Sequence, residues 1–438
     1  MPSPPALRAP ACFLVLALAA LACRAPFPLP DPTPQPGSGL IAYLGADGNV
    51  YVFDPAAPEP VALTTDAQPD LGRGADIVLY RYPAWSPDGR LLAFAAIRSG
   101  EAGTGAALLV SEPGSDTPTE LHEIFASEAE APFYLYWAPD SLSLTFLTSS
   151  VRGDSLLLRQ AFPDGAETRL LGADQPYYWH WSPDAAQILV HIGGSRSINP
   201  AARISLLEPE DARAVELGPA PGGFQAPAWA PDGASFLAMV RTDGPADELA
   251  RFDREGTRLE TFLEAEGLTA FTWSPDGSRI AVRSVAPQGI LFGPLLVLDS
   301  ATGEVAWRGL NDLTLAYFWS PDGSRLAFFH LEGDEGFEAL ARPALQEEGA
   351  LLSLSVLEVE KGLVRHLARF APTAGFLEIV PFFDQYHHSL TIWSPDSAQL
   401  VFTGVDESSA DAVWLVPADG SEPPKWMVSG GLAIWSWR

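Results

Sequence analysis

Trp273-Ser274-Pro275-Asp276-Gly277 leads directly into the apolar run Arg279 to Ser284. Proline presets φ at the second turn position, aspartate bonds its own backbone, and glycine accepts the left-handed conformation that closes a bulged hairpin. The unit is a strand-turn-strand device. It recurs as Trp85-Ser86-Pro87-Asp88-Gly89 and Trp319-Ser320-Pro321-Asp322-Gly323, and in four further copies opened by Trp137, Trp181, Trp229 and Trp393. Three copies carry Ser141, Ala185 or Ser397 in place of glycine, which predicts a slight strain in those turns. The tryptophan before each turn is expected to point inward and pack.

An eighth tryptophan of the same spacing, Trp435, stands near the C-terminus, and the steps between the eight are 52, 44, 48, 44, 46, 74 and 42 residues. A period of several tens of residues marks a propeller or a solenoid. Between turns the order is regular, as in the strands expected at Arg279 to Ser284, Leu295 to Asp299 and Glu304 to Arg308. Four short antiparallel strands make a blade. At the N-terminal end, Leu40 to Tyr43, Asn49 to Asp54 and Val61 to Thr64 read as strands two to four of a blade lacking its first, which Leu432 to Trp437 supplies. Joining them removes open sheet edges. The fold expected is all-β, an eight-bladed propeller over residues 40–438 closed by pairing of its terminal strands. Nine blades follow if the 74-residue step hides one, and seven if the N-terminal strands pack outside the ring.

The repeated Trp-Ser-Pro-Asp-Gly units resemble those of TolB-type propellers, the WD40-like or PD40 repeats, which also occur in the propeller domains of prolyl-oligopeptidase-type enzymes. The resemblance runs from about Leu40 onward. It implies the fold and, since TolB-type envelope proteins are protein-binding modules, a binding role. The domain that precedes the propeller in TolB itself has no counterpart here.

Residues 1–22 hold Arg8 and an apolar stretch, Ala11 to Ala22, with the layout of a secretory signal. Ala20-Leu21-Ala22-Cys23 resembles a bacterial lipoprotein cleavage box, although Leu followed by a small residue is the usual order there. The only two cysteines are Cys12 and Cys23, so Cys23 is expected to carry a lipid rather than a disulfide. Plain secretion is the alternative. Residues 23–39, with Pro26, Pro28, Pro30, Pro32, Pro34 and Pro36, read as an extended tether. An extracytoplasmic, envelope-anchored monomer is the resulting expectation.

Net charge is −29, which excludes nucleic acid as a partner, since that needs a basic footprint. Solubility explains much of the acid. Part of it falls on the long connections between strands, opposite the short Pro-Asp turns, where Asp66, Asp70, Asp76, Glu123, Glu128, Glu130, Asp334, Glu335, Glu378 and Asp384 stand with few bases. With Tyr386, His387 and His388 these residues define a candidate face for a basic or cationic protein, peptide or glycan partner.

No catalytic residue, cofactor or metal site is assigned. Gly153-Asp154-Ser155-Leu156 starts a GDSL-type hydrolase motif but falls where a third strand should begin, and no Gly-x-Ser-x-Gly elbow is present. His387-His388 is the one dense histidine cluster, and it would need His180 or His330 to hold a metal. Some propeller lyases acting on uronides use a His-held metal, which keeps a metal-dependent carbohydrate-active enzyme as one alternative. A sensor or assembly factor of an envelope complex is the other. The Pro-Asp carboxylates read as turn caps rather than calcium ligands, and Trp179 and Tyr177-Tyr178 as core packing.

Overall fold

The computed structural model describes residues 39–69, 76–100, 103–114, 120–150, 153, 155–175, 177–193, 202–223, 225–285, 291–309, 313–331 and 351–438. Cys23 and the tether up to residue 38 lie outside them, as do Asp70, Asp154, Asp334 and Glu335.

Each Pro-Asp turn is built from its own side chains. Ser274 Oγ donates to Asp276 Oδ1 at 2.6 Å and accepts from the Arg279 amide at 2.9 Å, while Asp276 Oδ1 takes the Ser278 amide at 3.0 Å. The same exchange recurs at Ser86, Ser182, Ser320 and Ser394. This local bonding explains each aspartate without a bound ion. Gly89, Gly233, Gly277 and Gly323 take φ between 67° and 73°, and Ser141, Ala185 and Ser397 occupy the same left-handed position at 62°, 55° and 60°.

Two of those three departures have a compensation. Ser141 Oγ accepts the Asp88 amide of the preceding turn at 3.0 Å, and Ser397 Oγ accepts the Asp322 amide at 3.1 Å. Ala185 has no such bond to offer. Ala185→Gly is therefore expected to stabilise the fold by roughly 0.5–1 kcal/mol, the relief of left-handed strain less the added freedom of the unfolded chain. An unchanged or lower midpoint in urea would contradict that.

The turns and strands assemble into seven sheets among the described residues. The first blade is Ile77–Trp85, Leu92–Gly100, Gly103–Ser111 and His122–Ser127; the second is Pro132–Trp137, Leu144–Ser149, Leu156–Ala161 and Thr168–Asp174. The third runs from Tyr177–Trp181 to Arg213–Glu216 and the fourth from Ala228–Trp229 to Arg258–Ala265. The fifth runs from Thr269–Trp273 to Val305–Arg308 and the sixth from Thr314–Trp319 to Leu363–Phe370. In the fifth the expected strands fall at Arg279–Ser284, Leu295–Asp299 and Val305–Arg308.

The expected eight blades are corrected to seven because the seventh sheet has six strands. Its order is Gln399–Val405, Asp411–Pro417, Lys425–Trp435, Ile41–Gly45, Val50–Asp54 and Ala57–Ala62. The eleven-residue strand Lys425–Trp435 passes from one neighbour to another without a break. Ser429 pairs with Ala412 on one side, and the next residue, Gly430, pairs with Gly45 on the other. A Cβ at Gly430 would come within 2.5 Å of the Leu44 carbonyl oxygen, so a glycine is required at this crossing. What the sequence divides into a last blade and a closing blade is one continuous sheet. The termini pair as expected, Ile41 with Trp435 and Leu44 with Leu432.

The repeat tryptophans tie successive blades together. Trp137 Nε1 donates to the Ala84 carbonyl at 3.0 Å, Trp273 Nε1 to Ala228 at 3.3 Å, and Trp393 Nε1 to Phe318 at 3.0 Å; each acceptor directly precedes the tryptophan of the blade before. Trp85, Trp137, Trp181, Trp229, Trp393 and Trp435 are buried, whereas Trp273 and Trp319 are half-buried.

Candidate functional site

The 74-residue step does not end in a surface link. After Phe370 the chain forms a short helix, Ala374–Ile379, then a 3-10 turn and a second helical turn, Phe383–Tyr386. Thr373 caps the first, its Oγ1 accepting the Phe376 amide at 3.2 Å. Phe376, Ile379, Val380 and Phe383 are all buried. Their spacing is that of one apolar helical face.

This segment is fastened to every blade. Glu378 pairs with Arg81 of the first blade at 2.7 Å. The Tyr134 hydroxyl of the second donates to the Gln385 carbonyl at 2.7 Å. The Gln385 amide meets both backbone groups of Trp179 in the third, accepting from its N–H and donating to its carbonyl, each at 3.2 Å. Asp384 Oδ2 accepts the Ala226 amide, ahead of the fourth, at 3.2 Å. The Arg283 guanidinium of the fifth lies 4.9 Å from the Phe383 ring centre, and Tyr317 of the sixth packs on that ring edge-on at 4.8 Å. Thr373 Oγ1 donates to the Gly431 carbonyl of the seventh at 2.7 Å. A chain segment that touches all seven blades occupies the middle of the ring.

Asp384 is thus corrected from an exposed face to the interior, with Tyr386, His387 and His388 half-buried beside it. Asp384 is buried, and burial raises its carboxyl pKa against the opposing pull of the Ala226 amide and Arg283. His388 stacks on Tyr136 at 4.4 Å between ring centres, and lies 4.2 Å from His180 and 3.8 Å from His387. Burial pushes His180 down to about 3 and His387 down to about 4, and lowers His388 well below the ordinary imidazole value. All three are neutral at physiological pH.

The structure therefore brings together His180, His387 and His388, as the metal reading required, but His180 is in the tautomer that leaves no nitrogen for a metal. The Trp229 amide donates to His180 Nδ1 at 3.0 Å, which places the ring proton of neutral His180 on Nε2. His180 then has no free lone pair. His387 Nδ1 lies 3.1 Å and 3.0 Å from the Phe383 and Asp384 carbonyls, so its proton sits on Nδ1. His330 is elsewhere, with Nε2 at 2.9 Å from Ser355 Oγ. Among the described residues no group of three or more His, Cys, Asp or Glu is arranged to hold a metal ion.

Two cavities flank the central segment. One, of about 260 Å³, opens on the Pro-Asp turn side. Trp229, Trp273, Trp319, Trp393 and Trp437 line it, with His180, His387 and His388 at its inner end. The other, of about 310 Å³, lies on the long-loop side against Glu378, Asp411, Tyr80, Arg81 and Tyr82. Burial raises the Asp411 carboxyl, which has no hydrogen bond or ion pair among the described residues. Tyr80 bridges to Asp66, donating to Oδ1 at 2.6 Å.

The remaining face residues are scattered. Asp66, Asp76 and Glu378 are exposed around the long-loop end, and Glu123 and Glu128 are exposed on and beside the outer strand of the first blade. Glu130 is structural. Burial works to raise its carboxyl, but bidentate bonding from Arg159 at 2.8 and 2.9 Å and the Thr148 hydroxyl at 2.7 Å outweigh that and leave it below the ordinary carboxylate range. Ser155 sits in a turn, its amide bonded to Ser150, just ahead of the third strand Leu156–Ala161. Trp179 and Trp181 are core residues, both donating to Thr145 Oγ1. No helix of the described residues is long and apolar enough to cross a membrane.

No protein-family model matches the chain, and no curated protein sequence does. Solved structures do. An oligogalacturonate lyase from Vibrio parahaemolyticus aligns over 87% of this chain and 96% of its own at 14% identity, with a TM-score of 0.50. A eukaryotic initiation factor aligns over 91% and 98% at 10% identity and a TM-score of 0.52. TolB from Acinetobacter baumannii aligns over 78% and 81% at 16% identity and a TM-score of 0.38. Proteins this different in role share the propeller and leave function to be argued from the site.

Proposed function

We propose that this chain is an exported propeller, lipid-anchored to the cell envelope through Cys23, that binds a basic protein or peptide on its long-loop face and performs no reaction of its own. The observation behind this reading is the long-loop cavity, where Asp411, which has no hydrogen bond or ion pair among the described residues, stands beside Glu378 and one hydroxyl from Asp66. Among the described residues Arg81 is the only base that lines it, and Glu378 already holds it. An incoming lysine or arginine would find a carboxylate with no competing partner among the described residues, in a protein whose net charge of −29 draws cations toward it. The anchor rests on the layout of residues 1–23 and on the want of any second cysteine beyond Cys12.

Affinity capture from solubilised native envelope tests the reading, with the full chain as bait beside an Asp66→Asn, Glu378→Gln, Asp411→Asn triple variant. The expected result is a partner held by the native bait, lost at least about tenfold in the variant and weakened by added salt. Equal retention on both baits would overturn the acidic face. A stable membrane complex recovered this way would make the protein a sensor or assembly factor.

A further inference from the structure

The turn-side cavity lies on the opposite face from the acidic one, and three features define what suits it. First, its walls are tryptophan. Trp273 and Trp319 are half-buried, so part of each ring remains open. Secondly, none of the residues lining it carries a charge at neutral pH, since the three histidines are neutral. Thirdly, four of its lining residues, Trp229, Thr272, Trp319 and His388, each hold a buried polar atom that has no partner among the described residues.

Those features discriminate between ligands. An anion would find no counter-charge. A sugar brings several hydroxyls, whereas Ser274 and Thr391 are already bonded, to Asp276 and to the Trp435 carbonyl, and the unpaired atoms of Trp229, Thr272, Trp319 and His388 lie beneath the surface, so most of those hydroxyls would be buried unpaired. A cation needs neither, because the negative faces of aromatic rings attract it once water is excluded. Directly outside the lining prolines Pro183, Pro231, Pro275 and Pro321 stand Asp184, Asp232, Asp276 and Asp322. Burial raises Asp184, Asp276 and Asp322, but the serine hydroxyls and turn amides outweigh it and keep all three below the usual carboxylate range. Arg254 engages Asp184 at 3.5 Å and lies 5.4 Å from the Trp229 ring centre, and Arg325 acts on Asp322, which leaves the Trp273 and Trp319 rings beside the ionised Asp276 as the part of the mouth open to a cation.

We propose that the tryptophan-lined cavity at the turn-side mouth of the ring binds an organic ammonium cation, with the charged head against the indoles. The site is independent of the acidic long-loop face, so either can fail without the other. The chemistry is shared by free quaternary ammonium compounds and by choline-type lipid headgroups.

Calorimetry on the full chain with tetramethylammonium, choline and 3,3-dimethyl-1-butanol, the uncharged carbon counterpart of choline, tests this. Choline is expected to bind at least about tenfold more tightly than the neutral alcohol. Trp319→Leu is expected to weaken choline by a similar factor while the melting transition stays cooperative. Global replacement of tryptophan by fluorinated tryptophans keeps shape and drains the ring faces of negative potential, so affinity should fall with each added fluorine; this series decides the matter if Trp319→Leu does not fold. Phosphocholine vesicles beside soluble choline separate the sources: uptake by vesicles assigns a headgroup, and binding of soluble choline alone assigns a free compound. Equal affinity for choline and the alcohol, no saturable binding of any ammonium, or a flat fluorination series would overturn the proposal.

Discussion

Removing residues 432–438 is expected to leave no folded monomer. Leu432, Ile434 and Trp435 are at most 6% exposed and supply the strand against which Ile41–Gly45 pairs. At about 1.5–3 kcal/mol for each large apolar side chain buried, their loss costs roughly 5–9 kcal/mol, comparable with the entire stability of an ordinary domain at about 5–15 kcal/mol. The bonds from the Leu40 amide to Ser436 Oγ, at 2.8 Å, and from the Trp435 amide to the Thr391 carbonyl, at 2.7 Å, go with them. Size-exclusion chromatography and circular dichroism should find aggregated or unfolded chain, because the strand Ile41–Gly45 is left with an open edge. A truncated protein that melts cooperatively near the native temperature would mean that the termini close nothing.

Phe383→Ala should cost about 3–5 kcal/mol, the range for deleting a fully buried ring. Phe383 is 0% exposed and sits between Tyr317, Phe318 and the Arg283 guanidinium. The loss has an electrostatic side as well. Arg283 is buried, burial lowers its pKa, and once the ring is gone its guanidinium keeps the Leu291 and Leu315 carbonyls and the attraction of Asp384. Chemical denaturation should give a lower midpoint with an unchanged slope. A change below about 1 kcal/mol, the size of an ordinary surface substitution or a little more, would show that the segment merely rests in the ring.

The repeat was legible because its chemistry is local. Serine, proline, aspartate and glycine within five residues bond to one another, so the turn is written where it is made. The terminal closure was legible by subtraction, three strands at one end and one at the other. The blade count was not, because Lys425–Trp435 continues through Ser429 and Gly430 instead of stopping, and no residue type announces a strand that changes partners. The site was the least legible part. Asp384, Tyr386, His387 and His388 were assigned to a surface face because charged and polar residues in a long connection ordinarily face water. The available signal was Phe376, Ile379, Val380 and Phe383 at helical spacing in an otherwise all-β chain, which marks a helix with something to bury. The aromatic cavity left no signal in one segment of sequence: its walls come from tryptophans that each read as packing, and only the ring brings them to one place.

The bond between Leu40 and Ser436 spans 396 residues of chain. During synthesis the strands Ile41–Gly45, Val50–Asp54 and Ala57–Ala62 must therefore wait for Lys425–Trp435 before their sheet can be completed, and until then they offer a free edge to anything nearby. Non-local closure of this kind is slow. A chain built this way finishes its fold only once the strand Lys425–Trp435 has been made.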